Sequence, residues 1–228
     1  MLANHRRTFL YALLLLAALA AVFVAVGRHP ATSAPTTTLP FVGDADLAVA
    51  RGMDDIRNVV ASGLARFLNV LGGGFITIPF RALVAAWLAF RRRWRALAVW
   101  VLVWISAEVL LTFAKGFFHR GRPAGALVDT VGSSFPSGHA VAGASIAVAL
   151  VLVLVPPGPQ RRRWEWIAVG FAFVMAFSRV YLRAHWLSDV VAGILLGAGV
   201  ALGTAALISE IHHHVLRRWL PPPGLEPG

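Results

Sequence analysis

The sequence has no cysteine, and of its 21 basic residues only Lys115 is a lysine. Without thiols, disulfides, thiol catalysis and cysteine-ligated metals are excluded. Charge is scarce: Asp, Glu, Lys and Arg make up 14% of the 228 residues, against about 25% in soluble domains. Acidic residues are the scarcest, 10 against 21 basic, which leaves a net charge of +11. Apolar residues fill the gap at 58%. So apolar a chain is no ordinary soluble globule, and its length fits one domain, residues 1–228. The heavy use of Arg, Ala, Gly and Val fits the coding bias of a GC-rich bacterium.

The apolar residues fall into long runs. Phe9 to Val26 covers 18 residues, or about 27 Å as a helix, close to the ~30 Å of a bilayer core. Basic residues precede it and Pro35 follows the small-residue site, so a retained anchor is favoured over a cleaved signal. Residues 27–39 read as an external loop. Asp44 to Asn58 places Leu47, Met53, Ile56 and Val59 at roughly helical spacing among charges, which predicts a short external amphipathic helix. Residues 59–90 are too interrupted for one simple span, with Arg66, Asn69 and Gly72 to Gly74 breaking the run. The expected fold is all-α: a polytopic membrane protein with a six-transmembrane-helix bundle, spans near 9–26, 71–90, 96–114, 139–155, 164–182 and 188–211.

The arginines give orientation. Arg6 and Arg7, then Arg91, Arg92, Arg93 and Arg95, then Arg161 to Arg163, then Arg217 and Arg218 all fall on one side of six spans. The positive-inside rule makes that side the cytoplasm, with both termini there. Basic residues in short runs between apolar segments are topology signals, so nucleic acid is not the expected partner. The bilayer is.

Lys115, Arg120, Arg122, Arg179 and Arg183 break the pattern, because they fall near the outer ends of spans three and five. Residues that defy a rule their neighbours obey are candidates for function. They occupy three patches: Lys115 to Pro123, Phe135 to His139, and Ser178 to Asp189. Lys115, Arg122 and Arg179 can supply the cations that a transferring phosphoryl group requires. Ser137, Gly138 and His139 open span four, where a helix N-terminus offers free N–H groups to an anion. His185 and Asp189 stand four apart, on one helix face. The carboxylate can fix the imidazole tautomer and leave the other nitrogen as nucleophile. His139 remains as general acid.

Lys-x6-Arg-Pro, Pro-Ser-Gly-His and Ser-Arg-x5-His-x3-Asp, in this order, resemble the three signature motifs of the type 2 phosphatidic acid phosphatase superfamily at every motif position. The resemblance implies that His185 forms a phosphohistidine, Asp189 orients it, and His139 protonates the leaving oxygen and then activates water. It implies phosphate binding by Lys115, Arg122, Ser137, Gly138 and Arg179, with no metal and no cofactor. Soluble relatives that hold vanadate are disfavoured by the spans. The implied reaction is hydrolysis of a lipid phosphate or diphosphate at the outer face of a bacterial cytoplasmic membrane, with no partner protein. Undecaprenyl diphosphate, phosphatidic acid and phosphatidylglycerol phosphate are candidate substrates. A phosphotransferase using the same site and a non-enzymatic lipid-binding protein are the alternatives.

Several residues lie outside the motifs. Arg120 and Arg183 are possible secondary substrate contacts. Trp186, between candidate residues, is a further one. Asp129 reads as a loop or capping residue. His212, His213 and His214 are consecutive and share no helix face, so they make a poor metal site. Arg81 and Glu108 both fall inside predicted spans, where a lone charge costs on the order of 2.5–3.5 kcal/mol. Antiparallel spans two and three bring them to similar depth, which predicts an Arg81–Glu108 contact.

Overall fold

The structure, a computed structural model, describes residues 5–28 and 34–219, with side chains over 7–28 and 34–214. Over the described residues the chain is helical and contains no strand. Helix α1 (His5–Val26) leads to a shorter helix α2 (Pro40–Asp55). Pro40 stands in the first turn, where its missing N–H costs nothing; α2 therefore starts four residues before the expected Asp44. Helix α3 (Val59–Leu71) is capped by Asn58, whose Oδ1 accepts from Ala61 N–H at 2.8 Å. Helices α4 (Gly74–Phe90), α5 (Trp94–Phe118), α6 (Gly138–Leu154), α7 (Pro159–Tyr181) and α8 (Leu187–Trp219) follow.

Three helices, α1, α5 and α8, are each long and apolar enough to cross a membrane, and α3 with α4 qualify together as a fourth, bent by 50°. Helix α6 is apolar but has 17 residues. Helix α7 opens on Arg161, Arg162, Arg163 and Glu165. Large apolar side chains such as Phe113, Leu83 and Phe173 point outward from the bundle, where contact with lipid removes the cost of exposure to water.

The break before α4 has a packing cause. A Cβ on Gly72 would stand 2.7 Å from Cδ2 of His139 and 2.8 Å from Sδ of Met175. The chain therefore bends at a residue that lets α6 and α7 approach. The expected span at 71–90 thus begins as a separate helix at Gly74, with α3 ahead of it.

Helices α6 and α8 pack still more tightly. A Cβ on Gly193 would meet Ser137 O at 2.7 Å, and one on Gly197 would meet Val141 O at 2.5 Å. Glycines four apart allow the backbones to touch, a common device where helices associate in lipid. Helix α1 lies along the other side of α8, with Leu16 against Gly199. Phe135, fully buried, wedges against Phe118 and Phe23 with ring centroids at 4.6 and 5.4 Å. This wedge anchors the loop that precedes α6.

The Arg81–Glu108 contact is present, with Nη1 and Oε1 2.5 Å apart. Trp100 Nε1–H also donates to the Arg81 carbonyl at 2.9 Å, which joins α4 to α5. Asp129 lies in an exposed loop, and His214 pairs with Glu210 at 3.0 Å. Among the described residues no group of metal-binding side chains occurs. The side chains of Arg6, Arg217 and Arg218 lie outside the described residues.

Candidate active site

The three sequence patches meet at one end of the bundle, at the C-termini of α5 and α7 and the N-termini of α6 and α8. The local folds follow from short-range bonding. Helix α5 stops at His119, which takes a left-handed conformation (φ 48°). The loop beyond it is tied by Ser134 N–H to Arg120 O at 2.8 Å, and by Ser134 Oγ to Gly121 O at 2.8 Å. Helix α7 ends in a turn over Leu182 to Trp186. There Ala184 and His185 N–H donate to Arg179 O at 3.0 and 3.3 Å. Helix α8 begins with one half of a capping box: Asp189 Oδ2 accepts from Trp186 N–H at 2.9 Å.

Asp189 has a second duty. Its Oδ2 lies 3.5 Å from His185 Nδ1, too long for a normal hydrogen bond but close enough for the carboxylate's charge to act on the ring. On the other side of the ring, Arg122 Nη1 stands 3.3 Å from Nε2. A guanidinium can only donate, so Nε2 carries the lone pair and the ring proton sits on Nδ1, facing Asp189. Burial holds the His185 pKa down to about 4, against the opposing pull of Asp189. The ring is therefore neutral near pH 7, with its free nitrogen beside a cation.

Three cations surround this nitrogen's neighbourhood. Lys115 Nζ donates to Ser133 O at 2.6 Å, and Arg122 Nη2 reaches the same carbonyl at 3.3 Å. Arg122 also bonds Val131 O at 2.8 Å, Gly132 O at 3.2 Å and Ala184 O at 2.7 Å. Burial lowers its pKa, against the opposing pull of Asp189. Arg179 Nη1 donates to Asn69 Oδ1. His139 Nε2 contacts the carbonyl of the same Asn69 at 2.9 Å, so Asn69 ties His139 to Arg179. Among the described residues, Ser137 Oγ and Arg179 Nε are buried without a hydrogen-bond partner. Gly138 opens α6, where a Cβ would touch Leu111 at 3.4 Å.

Arg120, Arg183 and Trp186 do not join this group. Arg120 is buried, with Nη1 bonded to Asp189 Oδ1 at 2.6 Å and Ser188 Oγ at 2.7 Å, and Nη2 bonded to Asp46 Oδ2 at 2.7 Å. Arg183 pairs with Asp54 on α2 and donates to Ala50 O at 3.3 Å. Trp186 is buried beneath the Arg120 guanidinium, with its Nε1–H on Gly121 O at 3.0 Å. The expectation that Arg120 and Arg183 contact substrate therefore meets a different geometry, because carboxylates already occupy both guanidinium groups. Asp46 and Asn69 were not singled out from sequence as site residues. Asp46 shares the inward face of α2 with Gly43 and Ala50, so an acid on a buried helix face was the available signal.

A profile of the PAP2 superfamily matches residues 96–212, which contain all three patches. The chain belongs to the PAP2 superfamily. Among its PAP2 relatives, phosphatidylglycerophosphatase B of Bacillus subtilis is 30% identical over 162 residues, 68% of this chain and 79% of the relative. An undecaprenyl-diphosphatase of Sulfolobus acidocaldarius is 32% identical over 147 residues, 61% of this chain and 67% of that protein. The crystal structure of a transmembrane PAP2-type phosphatidylglycerolphosphate phosphatase from Bacillus subtilis superimposes with a TM-score of 0.67 at 26% identity, covering 94% of this chain and 98% of the other. LpxE of Aquifex aeolicus shares the fold, with a TM-score of 0.58 at 23% identity over 69% of this chain and 93% of that one.

Proposed function

We propose that this PAP2 phosphatase is a single membrane domain that hydrolyses lipid phosphate monoesters or diphosphates through a phosphohistidine. His185 Nε2 attacks phosphorus while the bond to the leaving oxygen breaks. Protonated His139 gives that oxygen its proton. Water then attacks the phosphohistidine, His139 takes a proton from the water, and inorganic phosphate leaves. Asp189 stabilises the positive charge that develops on the His185 ring. Lys115, Arg122 and Arg179, with Ser137 and the N–H groups of Gly138 and His139 at the start of α6, hold the phosphoryl oxygens.

One observation carries the reading. His185 stands between Asp189 and Arg122, with its ring tautomer fixed by Arg122 donating to Nε2. That arrangement suits a nucleophile and serves no obvious structural purpose.

The lipid nature of the substrate rests on an apolar groove of about 700 Å³ between α4, α6 and α7. It runs from Gly72, which packs close to His139, and Met175 to Leu154 and Trp164 at the far end. An acyl or prenyl chain fits such a surface. The names of the relatives point to undecaprenyl diphosphate or phosphatidylglycerol phosphate, with phosphatidic acid as the third candidate.

The proposed topology has six spans: α1, the α3–α4 pair, α5, α6, α7 and α8. The arginine-rich starts of α5 and α7 lie at the end opposite the histidines. With that end cytoplasmic, the site opens on the outer face of a bacterial cytoplasmic membrane.

The test uses protein purified in detergent and a panel of the three lipids. Phosphate release should be blocked by vanadate, should persist in chelator and should vanish in His185→Ala. Wild-type activity in His185→Ala would sink the mechanism.

A further inference from the structure

Helix α2 reaches the proposed nucleophile without touching it. Asp46 is buried, 1% exposed, on a helix that otherwise lies at the bundle's rim. Its Oδ1 accepts from Ser188 N–H at 2.8 Å, and its Oδ2 accepts from Ser188 Oγ–H at 2.7 Å and Arg120 Nη2 at 2.7 Å. Arg120 turns its other amino group to Asp189 Oδ1 at 2.6 Å. The remaining Asp189 oxygen, Oδ2, faces His185. A continuous buried chain thus runs Asp46–Arg120–Asp189–His185. At its other end α2 holds Arg183 through Asp54 and Ala50 O. The turn that carries His185 is gripped on both sides by one helix.

The charges explain what this chain achieves. Alone, Arg120 would neutralise Asp189 and leave little negative potential at His185. Burial raises the Asp46 pKa, opposed by Arg120 and the Ser188 hydrogen bonds; with Asp46 ionised, two buried carboxylates share one guanidinium, and the set carries one net negative charge beside a neutral ring. Such a field favours positive charge on the imidazole in the transition state, where low surrounding polarity strengthens it. Ser188 fixes the geometry, since its Oγ accepts from Arg120 and donates to Asp46.

We infer that Asp46 is a positioning residue for the PAP2 reaction: acting through Arg120, it sets the orientation and charge of Asp189 and thereby the reactivity of His185, so that α2 is part of the catalytic apparatus. This rests on His185 being the nucleophile.

The experiment measures kcat and KM on a lipid phosphate in detergent, and the affinity for inorganic phosphate by calorimetry. Variants are Asp46→Asn, Asp46→Glu, Ser188→Ala and His185→Ala. Asp46→Asn should lower kcat on the order of 10–100-fold, with KM and phosphate affinity close to wild type. Asp46→Glu, which keeps the charge, should recover much of that loss. Ser188→Ala leaves the carboxylate in place but loosens it, and should lower kcat several-fold with phosphate affinity kept; it carries the test if Asp46→Asn does not fold. Wild-type kcat in Asp46→Asn or, if that variant does not fold, in Ser188→Ala overturns the inference. So does a fall in phosphate affinity that matches the fall in kcat, or an Asp46→Glu variant no better than Asp46→Asn. An active His185→Ala would instead overturn the underlying reaction.

Discussion

Two sets of cations lie side by side at one end of the bundle and are treated in opposite ways. Arg120 and Arg183 are tied to carboxylates: Arg120 to Asp46 and Asp189, Arg183 to Asp54. Lys115, Arg122 and Arg179 make no ion pair among the described residues, and their donors end on carbonyls, the Asn69 amide and a neutral imidazole. A buried cation with an acid partner is part of the framework. A group of buried and half-buried cations without one is costly to the fold, because like charges repel where water screens them poorly. It persists where an anion completes it. The difference separates scaffold from proposed binding site more sharply than burial does, since Arg120 and Arg179 are both almost fully buried.

The comparison can be broken at either side. Arg120→Ala should have the largest effect on the fold, because it leaves Asp46 and Asp189 buried without their shared partner. Loss of one member of such a network costs about 3–5 kcal/mol, to be read as a fall in the unfolding midpoint in detergent. Arg122→Ala should do the reverse. Its kcat/KM should fall on the order of 10²–10³-fold, while the same unfolding measurement stays at or above the wild-type value, because repulsion is relieved. Equal destabilisation by both variants would erase the distinction between the sets. Arg183→Ala should have the smallest effect. Asp54 is 42% exposed, so solvent weakens the pair and its loss should cost no more than about 1 kcal/mol.

The sequence carried the chemistry of this end of the molecule better than its mechanics. Spacing was enough to bring His185 and Asp189 together, although His185 stands in the turn before α8 and not on the helix, and meets Asp189 where that side chain folds back over the helix start. Arg81 and Glu108 were also legible, since two charges in apolar runs on antiparallel helices have few other partners. Arg120 was not, because its character depends on Asp46, 74 residues earlier in the chain. No local pattern reports which acid a buried arginine will find. Asn69 was visible only as an interruption, while its actual place is between His139 and Arg179. The close packing at Gly193 and Gly197 emerged only with the fold, which sets them against Ser137 and Val141 on α6. The break at Gly72 to Gly74 was legible as an interruption of the apolar run, while its packing against His139 and Met175 from two other helices needed the third dimension.

That bend has a mechanical consequence. With α6 and α8 locked backbone to backbone, the α6 wall of the apolar groove is held, and the groove's calibre is set by how α4 and α7 stand against it. The bend sits at Gly72, where the imidazole of His139 leaves no room for even a methyl group. The corner of the groove and the group proposed to hand over a proton are therefore neighbours, and a side chain added at one must displace the other.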